Sequence, residues 1–383
     1  MQGSRKYMIE VPNQGYEVLM PDIKPDIREL SPEEVLQVIN MAGEKPFRVG
    51  QVFNWIHVKT IQDWSEMTNL GSAAQAKLRE TAELTPHKLL QERISRDGTR
   101  KYLWGLVDGH AIESVLLQHE GDRTRTRNTL CLSTQVGCPM GCSFCATGQN
   151  GYKRNLSAGE IIGQVLDTAY HRKTADPDFK INNLVYMGMG EPLLNLPAVV
   201  KSIKILNHKD GQNIGIRRIT VSTCGLVPQM EELASNRLDI VLAVSLHAPT
   251  NELRNRIMPV NKRFPLEELI PACSRYYNRT GRRVTFEYAL IRDFNDGTEN
   301  AHTLARLLQR VSGSANVNVI PVNTIDNNNC QRPEPNSVRQ FVHDLRQQGI
   351  NAVIREEKGS DIEAACGQLA GKLLNKADSS NRL

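Results

Sequence analysis

The sequence lacks any apolar stretch that approaches the length of a membrane span, although it runs to 383 residues. Its opening, MQGSRKYMIEVPNQGYEVLM, also lacks the apolar core of a secretory signal. These two absences predict a cytoplasmic protein without membrane attachment. The chain has little excess charge as well: a net charge of +5 permits an anionic partner but does not by itself indicate one.

Cysteines are few, eight in all, yet Cys138, Cys142 and Cys145 fall within the single stretch CPMGCSFCATG. In a reducing compartment, cysteines indicate metal binding or catalysis more often than disulfides. Cys224 and Cys273, in contrast, have the surroundings of small apolar core residues.

The first quarter of the chain has the pattern of a helical domain. In LSPEEVLQVINMAG, Ser31 suits the N-cap, Pro32 the first helical position and Glu34 the capping box. FRVGQVFNWIHVK and GSAAQAKLRETAEL predict two further helices. Short β-rich segments follow, around a hairpin signal at Asp108 and Gly109. We therefore predict a helical accessory domain over residues 1–90 and a β extension with a linker over residues 91–127.

From residue 128 onward, β-rich apolar runs alternate with amphipathic helical stretches. The runs are TLCLST, NNLVYMG, RRITVST, DIVLAVSLH, RVTFEYAL and NVNVIPV. Six such βα units predict an α/β fold whose parallel sheet is either open and doubly wound or curved as a partial barrel. Six units are too few for a complete eight-stranded barrel. The predicted core spans residues 128–357, ends on the strand-like INAVIREEKG, and leaves a C-terminal segment over residues 358–383.

The C-x3-C-x2-C cluster follows the first predicted core strand, in a loop marked by Gly and Pro. Three close thiolates can ligate three irons of a 4Fe–4S cluster and leave the fourth iron open for a substrate or cofactor. A structural zinc would need a fourth protein ligand, for which Cys131 in the preceding strand is the nearest candidate. The spacing favours iron–sulfur over zinc, and either of them over a chance grouping of core cysteines.

Polar residues recur where the predicted strands end, and parallel α/β enzymes build their sites at such strand ends. Each residue alone is more often a cap or a turn residue, but their recurrence at corresponding strand ends predicts a site. The residues are Gly190 and Glu191 in MGMGEP, Ser222 in VSTCG, Ser245, Leu246 and His247 in SLHAP, and Asn323 in IPVN.

The cysteine motif, its place after the first strand and the βα units resemble the radical S-adenosylmethionine (SAM) superfamily. The resemblance implies a partial (β/α)6 TIM-type barrel with a 4Fe–4S cluster held by Cys138, Cys142 and Cys145. It also implies that SAM chelates the open iron, with its amino group near Gly190 and Glu191. The reduced cluster of that superfamily cleaves SAM to a 5′-deoxyadenosyl radical. The remaining strand-end residues, Ser222, Ser245, Leu246, His247 and Asn323, become candidates for further SAM contacts.

Longer signatures narrow the resemblance to the RlmN/Cfr family of RNA methyltransferases. LSTQVGCPMGCSFCATGQNGYKRNL, VYMGMGEPLLN and GSDIEAACGQLAG stand in the family's order, and the resemblance spans nearly the whole chain. It implies that Cys366 takes a methyl group from one SAM, and that a radical from a second SAM activates this group for addition to an adenine carbon. It further implies that Glu113 accepts the ring proton and that Cys131 forms a disulfide with Cys366 to release the RNA. Composition alone makes Cys131 an inert strand residue, Cys366 an inert helix residue and Glu113 an exposed strand residue.

The family implies an RNA substrate, and the cluster motif is closer to the RlmN pattern than to the Cfr pattern. The implied product is 2-methyladenosine, at adenosine 2503 of 23S rRNA and next to the anticodon in tRNA. The implied partners are these RNAs and an electron donor such as flavodoxin or ferredoxin, and we expect a monomer. Three alternatives stay open: Cfr-type C8 methylation, a radical SAM reaction on a substrate other than RNA, and a zinc-stabilised RNA-binding protein without catalysis.

Basic segments are candidates for phosphate contacts, although surface charge at any one of them is more often simply solvated. They comprise Arg123, Arg125, Arg127, Lys153, Arg154, Arg217 and Arg218. The helical domain resembles the family's accessory RNA-binding domain but shows no RNA-recognition signature of its own.

Overall fold

The computed structural model describes residues 24–119, 127–313, 315–323 and 330–371. Residues 120–126 of the predicted basic linker, with Arg123 and Arg125, lie outside the described residues, as do residues 372–383 of the predicted C-terminal segment. The chain divides into two compact units, Met1–Thr85 and Pro86–Leu383. In the part of the chain that is described, no helix is both long and apolar enough to cross a membrane.

Three helices build the described part of the first unit, and a capping box marks where the first of them begins. They are α1, Pro32–Met41; α2, Arg48–His57; and α3, Ser72–Thr81, with 3-10 turns at Ile27–Glu29 and Trp64–Glu66. The predicted capping box is present: the Ser31 N–H donates to Glu34 Oε2 at 2.7 Å, and the Glu34 N–H donates to Ser31 Oγ at 3.3 Å. Apolar side chains such as Val35, Phe53 and Leu78 are buried. The three predicted helices are therefore confirmed.

A ten-stranded mixed sheet forms the centre of the second unit. A separate two-stranded ribbon pairs β5, Gln135–Gly137, with β6, Tyr152–Asn155. The strands of the main sheet, in sheet order, are β1, Lys88–Ile94; β2, Arg100–Gly105; β3, Ala111–His119; β4, Arg127–Cys131; β7, Asn183–Tyr186; β8, Ile219–Thr223; β9, Val241–Ser245; β10, Val284–Leu290; β11, Asn316–Pro321; and β12, Asn351–Ile354. Neighbours from β1 to β4 pair antiparallel, and neighbours from β4 to β12 pair parallel.

Helices occupy the connections between the parallel strands. They are α4, Ala146–Gln149; α5, Ala158–Lys173; α6, Leu196–Asn207; α7, Val227–Ser235; α8, Asn251–Ile257; α9, Leu266–Thr280; α10, Thr298–Leu308; and α11, Pro335–Gln347. Short 3-10 turns lie at Pro192–Asn195, Ile216–Arg218, Pro259–Lys262 and Ser360–Ile362. A second capping box, between Ser157 and Glu160, begins α5 and fixes where the chain leaves β6.

The parallel strands lie in the sheet in the same order as in the chain, with no point at which the order reverses. A doubly wound sheet requires such a reversal. Successive right-handed crossovers in one direction place the helices on one face, which is the arrangement of a barrel wall. Among the described strands, no pairing joins β12 back to β4, so the wall is open. The predicted α/β fold with a partial barrel is confirmed, and INAVIREEKG supplies its last parallel strand, β12.

The predicted β extension belongs to the main sheet and is not a separate layer, because β3 pairs with β4. The predicted hairpin turn is present, with the Leu106 N–H donating to the His110 carbonyl at 2.8 Å and Gly109 at a φ of +83°. Strand β1 begins at Lys88, so the predicted domain limit at residue 90 falls inside a strand. Exposure alternates regularly along this strand, but the apolar Leu90 and Ile94 lie on its exposed side, so no alternation of apolar and polar residues indicates the strand in the sequence.

The segment around Cys366 is irregular, and the helix expected there from composition is wrong. The 3-10 turn Ser360–Ile362 is followed by turns and extended chain. Gly367 has a φ of +85°, and a Cβ at this position would lie 3.0 Å from the carbonyl oxygen of Phe144. Glycine therefore permits a close backbone approach to the loop that carries Cys145, and this approach takes the place of a helix.

Candidate active site

The cysteine loop, residues 138–145, connects β5 to α4 and is held by backbone hydrogen bonds. The Cys138 N–H donates to the Gly151 carbonyl at 2.9 Å, and the Ser143 N–H donates to the Ile257 carbonyl at 3.0 Å. Gly137, just before the loop, has a φ of +76°, and a Cβ there would lie 1.9 Å from the Gly151 oxygen. The loop is therefore anchored to both β6 and α8, which fixes where its three thiols lie.

The three predicted ligands have the chemistry that an iron–sulfur cluster needs. Burial raises the pKa of the Cys138 thiol to about 12, and it also raises the pKa values of Cys142 and Cys145. A thiolate at Cys145 raises the pKa of the other two thiols further, so together they favour a cationic centre that takes up their charge. Among the described residues, no group of three or more His, Cys, Asp and Glu side chains is arranged to hold one metal ion. In a 4Fe–4S cluster each cysteine binds a different iron, so the residues fit this group.

Glu191, predicted to lie near the SAM amino group, uses its carboxylate to join strand ends. Its Oε1 accepts from the Leu193 N–H at 3.1 Å, and its Oε2 accepts from the Cys224 N–H at 2.8 Å. Its own N–H donates to Gln135 Oε1 at 2.8 Å. Gly190 has a φ of +102°, and a Cβ there would lie 2.6 Å from the Gln135 side chain. The motif thus ties β7 to β5 and β8, and burial raises the pKa of the Glu191 carboxyl.

His247 fixes the end of β9 against β10 and the cysteine loop. Its Nδ1 accepts from the Ala289 N–H at 2.9 Å, and its ring meets the Phe144 ring edge-on at 4.7 Å between centroids. Burial, with a smaller effect from Arg254, lowers the pKa of His247 to about 3, so the imidazole is neutral at neutral pH. Of the other residues predicted at strand ends, Ser222 and Ser245 are half-buried and Leu246 is fully buried.

Arg254, which no sequence pattern indicates, joins the ends of β8 and β9 through its guanidinium group. Its Nη2 donates to the Cys224 carbonyl at 2.7 Å and to the Ser245 carbonyl at 3.1 Å. Its Nε donates to the Leu246 carbonyl at 3.1 Å, and its Nη1 donates to Asn261 Oδ1 at 2.8 Å. The side chain is fully buried, so these acceptors have no water to replace the guanidinium.

Replacing Arg254 by methionine should lower the free energy of unfolding by about 3 kcal/mol, because several buried acceptors lose their donor. Arg256→Met is the matched control on the same helix: Arg256 is exposed and lies over the face of the Phe294 ring, so its loss should cost under about 1 kcal/mol. Urea unfolding measures the free energy of unfolding of both variants, which can be compared with that of the wild type if the m-values agree. Equal losses in the two variants would contradict the role given to Arg254.

A cavity of about 670 Å³ opens inside the barrel wall and is lined by four of the residues predicted for catalysis, cluster binding or SAM binding. Cys131, Cys145, Asn323 and Cys366 line it, at a volume typical of sites that hold small organic ligands. Four residues that the sequence did not indicate, Met187, Glu287, Asn318 and Arg355, also line it. Glu287 Oε1 accepts from Asn318 Nδ2 at 2.8 Å, and Arg355 Nη1 lies 3.6 Å from Glu287 Oε2 and 3.7 Å from the Met187 sulfur.

Cys131 and Cys366 are both free thiols on the wall of this cavity. Burial raises the pKa of the Cys131 thiol to about 12, a Cys366 thiolate raises it further, and the Arg355 guanidinium opposes the rise. Cys366 is exposed, and its carbonyl accepts from Asn323 Nδ2 at 3.2 Å. The two cysteines are therefore close enough for a thiolate at Cys366 to affect the Cys131 thiol, although Cys131 begins the core and Cys366 follows its last strand.

Glu113 is buried, so the exposed position expected from composition is wrong. Lys101 Nζ lies 3.1 Å from Oε1, while Oε2 accepts from the N–H groups of Ala370 at 2.7 Å and Gly371 at 2.9 Å. Glu113 does not belong to the cavity lining, which runs along the opposite part of β3 from Val115 onward. Both carboxylate oxygens are therefore engaged by the protein itself in this arrangement.

The predicted phosphate contacts fall into two groups. Arg154 is already neutralised by Asp108, at 2.6 Å, and by Glu160, at 2.7 Å, because the ribbon strand β6 brings it to both carboxylates. Arg127, Lys153, Arg217 and Arg218 are exposed, and Arg127 also belongs to the cavity lining. Arg154 therefore has a structural partner, while the exposed group keeps its charge available at the surface.

Comparison with known proteins gives two family matches and close relatives. A model described as the radical SAM superfamily matches residues 132–305, and one described as the ribosomal RNA large subunit methyltransferase N-terminal domain matches residues 25–84. The chain is 49% identical over 345 residues to a Moorella thermoacetica protein named "Probable dual-specificity RNA methyltransferase RlmN", with 90% of this chain and 96% of the relative covered. A Thermotoga maritima protein of the same name is 47% identical, with 90% of this chain and 97% of the relative covered.

Among solved structures, a radical SAM methyltransferase from Sphaerobacter thermophilus matches with a TM-score of 0.85 at 43% identity, covering 91% of this chain and 100% of that chain. Fold and sequence thus place the protein in one class of enzyme, the radical SAM methyltransferases. Within that class, the chain belongs to the RlmN family. Membership implies SAM and a 4Fe–4S cluster as its cofactors.

Proposed function

We propose that this protein forms 2-methyladenosine in RNA, at adenosine 2503 of 23S rRNA and at the tRNA adenosine next to the anticodon. One observation carries the proposal: Cys131 and Cys366 line a single cavity together with Cys145 of the cysteine loop. A cysteine that accepts a methyl group, a second cysteine that releases it and a cluster ligand are the parts that such a reaction needs. The names of the relatives, dual-specificity RNA methyltransferases, supply the substrate class.

Each protein group has a defined task in this proposal. Cys138, Cys142 and Cys145 hold the cluster, which when bound supplies the electron that cleaves SAM to methionine and a 5′-deoxyadenosyl radical. Flavodoxin or ferredoxin is the electron source, and the chain acts as a cytoplasmic monomer. Asn323 holds the Cys366 carbonyl, which keeps the Cys366 sulfur at the cavity wall.

The methyl group reaches the base through Cys366, and two SAM molecules are consumed in each turnover. The Cys366 thiolate attacks the methyl carbon of the first SAM, and S-adenosylhomocysteine leaves with the electron pair. The radical from the second SAM removes one hydrogen atom from the S-methyl group, and the resulting carbon radical adds to adenine C2. Such an electron-poor ring carbon cannot attack SAM as an amine would, and this is why a radical is needed.

Release of the product requires a base and a second thiol. The radical adduct must pass one electron to an acceptor, and the cluster that was oxidised in cleaving SAM would serve as this acceptor; Glu113 then accepts the ring proton. The Cys131 sulfur attacks the Cys366 sulfur, a disulfide forms, and the bond from the Cys366 sulfur to the added carbon breaks. The electron pair of that bond stays on the base and takes a proton, which completes the methyl group. A reductant must open the disulfide before the next turnover.

Nucleoside mass spectrometry tests the proposal. The protein, reconstituted anaerobically, is reacted with SAM, a reductant and protein-free 23S rRNA or tRNA, and the RNA is digested. We expect 2-methyladenosine. A product methylated at C8 would show that the protein carries out Cfr-type methylation. Cleavage of SAM without any methyladenosine would show that RNA is not the substrate. A protein with bound zinc and no SAM cleavage would establish the non-catalytic alternative.

A further inference from the structure

The C-terminal segment, defined here as residues 359–371, rests on a buried ion pair of the β extension. Lys101 on β2 and Glu113 on β3 lie 3.1 Å apart, and their side chains are 4% and 2% exposed. The Lys101 Nζ also donates to the Glu363 carbonyl at 3.1 Å. Glu113 Oε2 accepts from the N–H groups of Ala370 and Gly371. The remaining bonds of this pair therefore reach the segment on both sides of Cys366.

Burying two charges is costly, and a buried pair is most easily explained where it specifies one arrangement of the chain. Lys101 has the segment's carbonyl as its further acceptor, and Glu113 has the segment's amides as its further donors. These bonds involve charged groups, which makes them stronger than bonds between neutral groups. The pair is therefore arranged to hold backbone from this one segment.

The opposite side of the segment is held by residues next to the cysteine loop. The Ala146 N–H donates to the Gly367 carbonyl at 2.7 Å, and Thr147 Oγ1 donates to the Leu369 carbonyl at 2.6 Å. Backbone on both sides of Cys366 is thus bonded to the ion pair, and backbone after Cys366 is also bonded to the start of α4. The position of the Cys366 sulfur relative to the cysteine loop follows from these contacts.

We infer that Lys101 is a positioning residue for Cys366, and that the Lys101–Glu113 pair is the dock on which the C-terminal segment must be seated. The dock follows from the hydrogen bonds alone. A second inference rests on the proposed function: Glu113 can accept a ring proton at Oε2 only after Ala370 and Gly371 have released that oxygen. Undocking of this end of the segment therefore precedes proton acceptance.

Hydrogen exchange of the full-length protein, read by mass spectrometry on peptides covering residues 359–371, tests the dock without RNA. Lys101→Met should speed exchange in this segment about tenfold, since the charge-assisted bond to the Glu363 carbonyl is lost and Glu113, which holds Ala370 and Gly371, loses its buried partner. Arg100→Met is the matched control. Arg100 lies next to Lys101 on β2 but pairs with Glu92 at 2.8 Å, so exchange of the segment should stay at the wild-type rate.

A second readout separates positioning from general destabilisation. In the reconstituted holoenzyme, Lys101→Met should lower the maximal rate of Cys366 methylation about tenfold and leave the KM for SAM unchanged, because the groups that bind SAM keep their places. The methylated Cys366 peptide is quantified by its mass. A parallel loss in SAM affinity would show that the whole site has moved and would overturn the positioning role.

A second variant guards against a Lys101→Met protein that does not fold. Gly371 has a φ of +67°, and a Cβ there would lie 2.9 Å from Met189 Cε and 3.1 Å from the Ala111 carbonyl oxygen. Gly371→Ala should therefore displace the Gly371 N–H from Glu113 without removing either buried charge. Gly349→Ala is its control, with a φ of +79° but open space around the added carbon.

The outcomes are distinct. Faster exchange of the segment in Gly371→Ala, with wild-type exchange in Gly349→Ala, supports the dock even if Lys101→Met does not fold. Wild-type exchange of the segment in folded Lys101→Met or in Gly371→Ala overturns it. A protein that shows the dock but makes no methyladenosine would overturn the proposed function and leave the dock standing.

Discussion

Replacing Cys131 by alanine should leave RNA covalently attached to the protein through Cys366 and reduce turnover by at least about a thousandfold. The reason is chemical: once the carbon from Cys366 has joined the base, only attack on the Cys366 sulfur can break the bond between them. Among the described residues, three free cysteines line the cavity: Cys131, Cys366 and Cys145 of the cysteine motif. Cys131 is therefore the thiol outside the motif that can attack Cys366. Denaturing gels and peptide mass spectrometry of the purified variant measure the adduct and locate it.

The matched control is Cys273→Ala. Cys273 is a buried thiol on α9 whose pKa is also raised to about 12 by burial, but it does not belong to the cavity lining. This variant should carry no attached RNA and should turn over at the wild-type rate. The double replacement of Cys131 and Cys366 should carry no RNA, because the attacking sulfur is gone. A Cys131→Ala protein that is free of RNA and still turns over would show that Cys131 does not release the product.

Replacing Cys142 by alanine should remove the cluster and reduce SAM cleavage to background. We expect iron to fall from about four atoms per chain to well below one, together with the brown colour, since two cysteines of the motif cannot hold a 4Fe–4S cluster. Iron analysis and the appearance of 5′-deoxyadenosine measure the two effects.

The same Cys273→Ala protein serves as the control for the loss of a buried thiol and should keep its iron. Wild-type iron content in Cys142→Ala would contradict the assignment of the three ligands. Bound zinc in place of iron in the unaltered protein would contradict it as well.

Local patterns account for what could be predicted from the sequence. The capping box at Ser31 and Glu34, the turn at Asp108 and Gly109, and the cysteine motif all lie within a few residues and determine their own backbone geometry. Alternating β-rich runs and amphipathic helices likewise indicate the βα units of the barrel wall. The capping box, the hairpin turn and the βα units are confirmed because each depends on neighbours in the chain.

The remaining features depend on partners far away in the chain and leave no local trace. The contact between Glu113 and Ala370 spans 257 positions, and nothing around either residue in the sequence indicates that they meet. Arg254 looks like an ordinary charge on an amphipathic helix, yet it is fully buried beneath the ends of β8 and β9. The segment around Cys366 has the composition of a helix, but contacts with β2, β3 and α4 hold it in an irregular path.

The positions of Cys131 and Cys366 connect the fold with the proposed chemistry. Cys131 ends β4, and Cys366 is placed by a segment that follows β12, so an open barrel wall brings the two ends of the core to one cavity. A closed barrel would fill this region with side chains, whereas the open wall leaves the cavity of about 670 Å³. The fold therefore supplies the shared site that a transfer through Cys366 requires.

The most direct test of this transfer follows the carbon atom. The protein is first loaded with unlabelled SAM, freed of excess SAM, and then reacted with RNA and SAM carrying a fully deuterated methyl group. We expect the methyl group of the first-turnover product to contain no deuterium, because it comes from Cys366 already methylated. Later products should carry two deuterium atoms, since one is lost when the S-methyl group is activated. Deuterium in the first-turnover product, or three deuterium atoms in the later ones, would contradict transfer through Cys366.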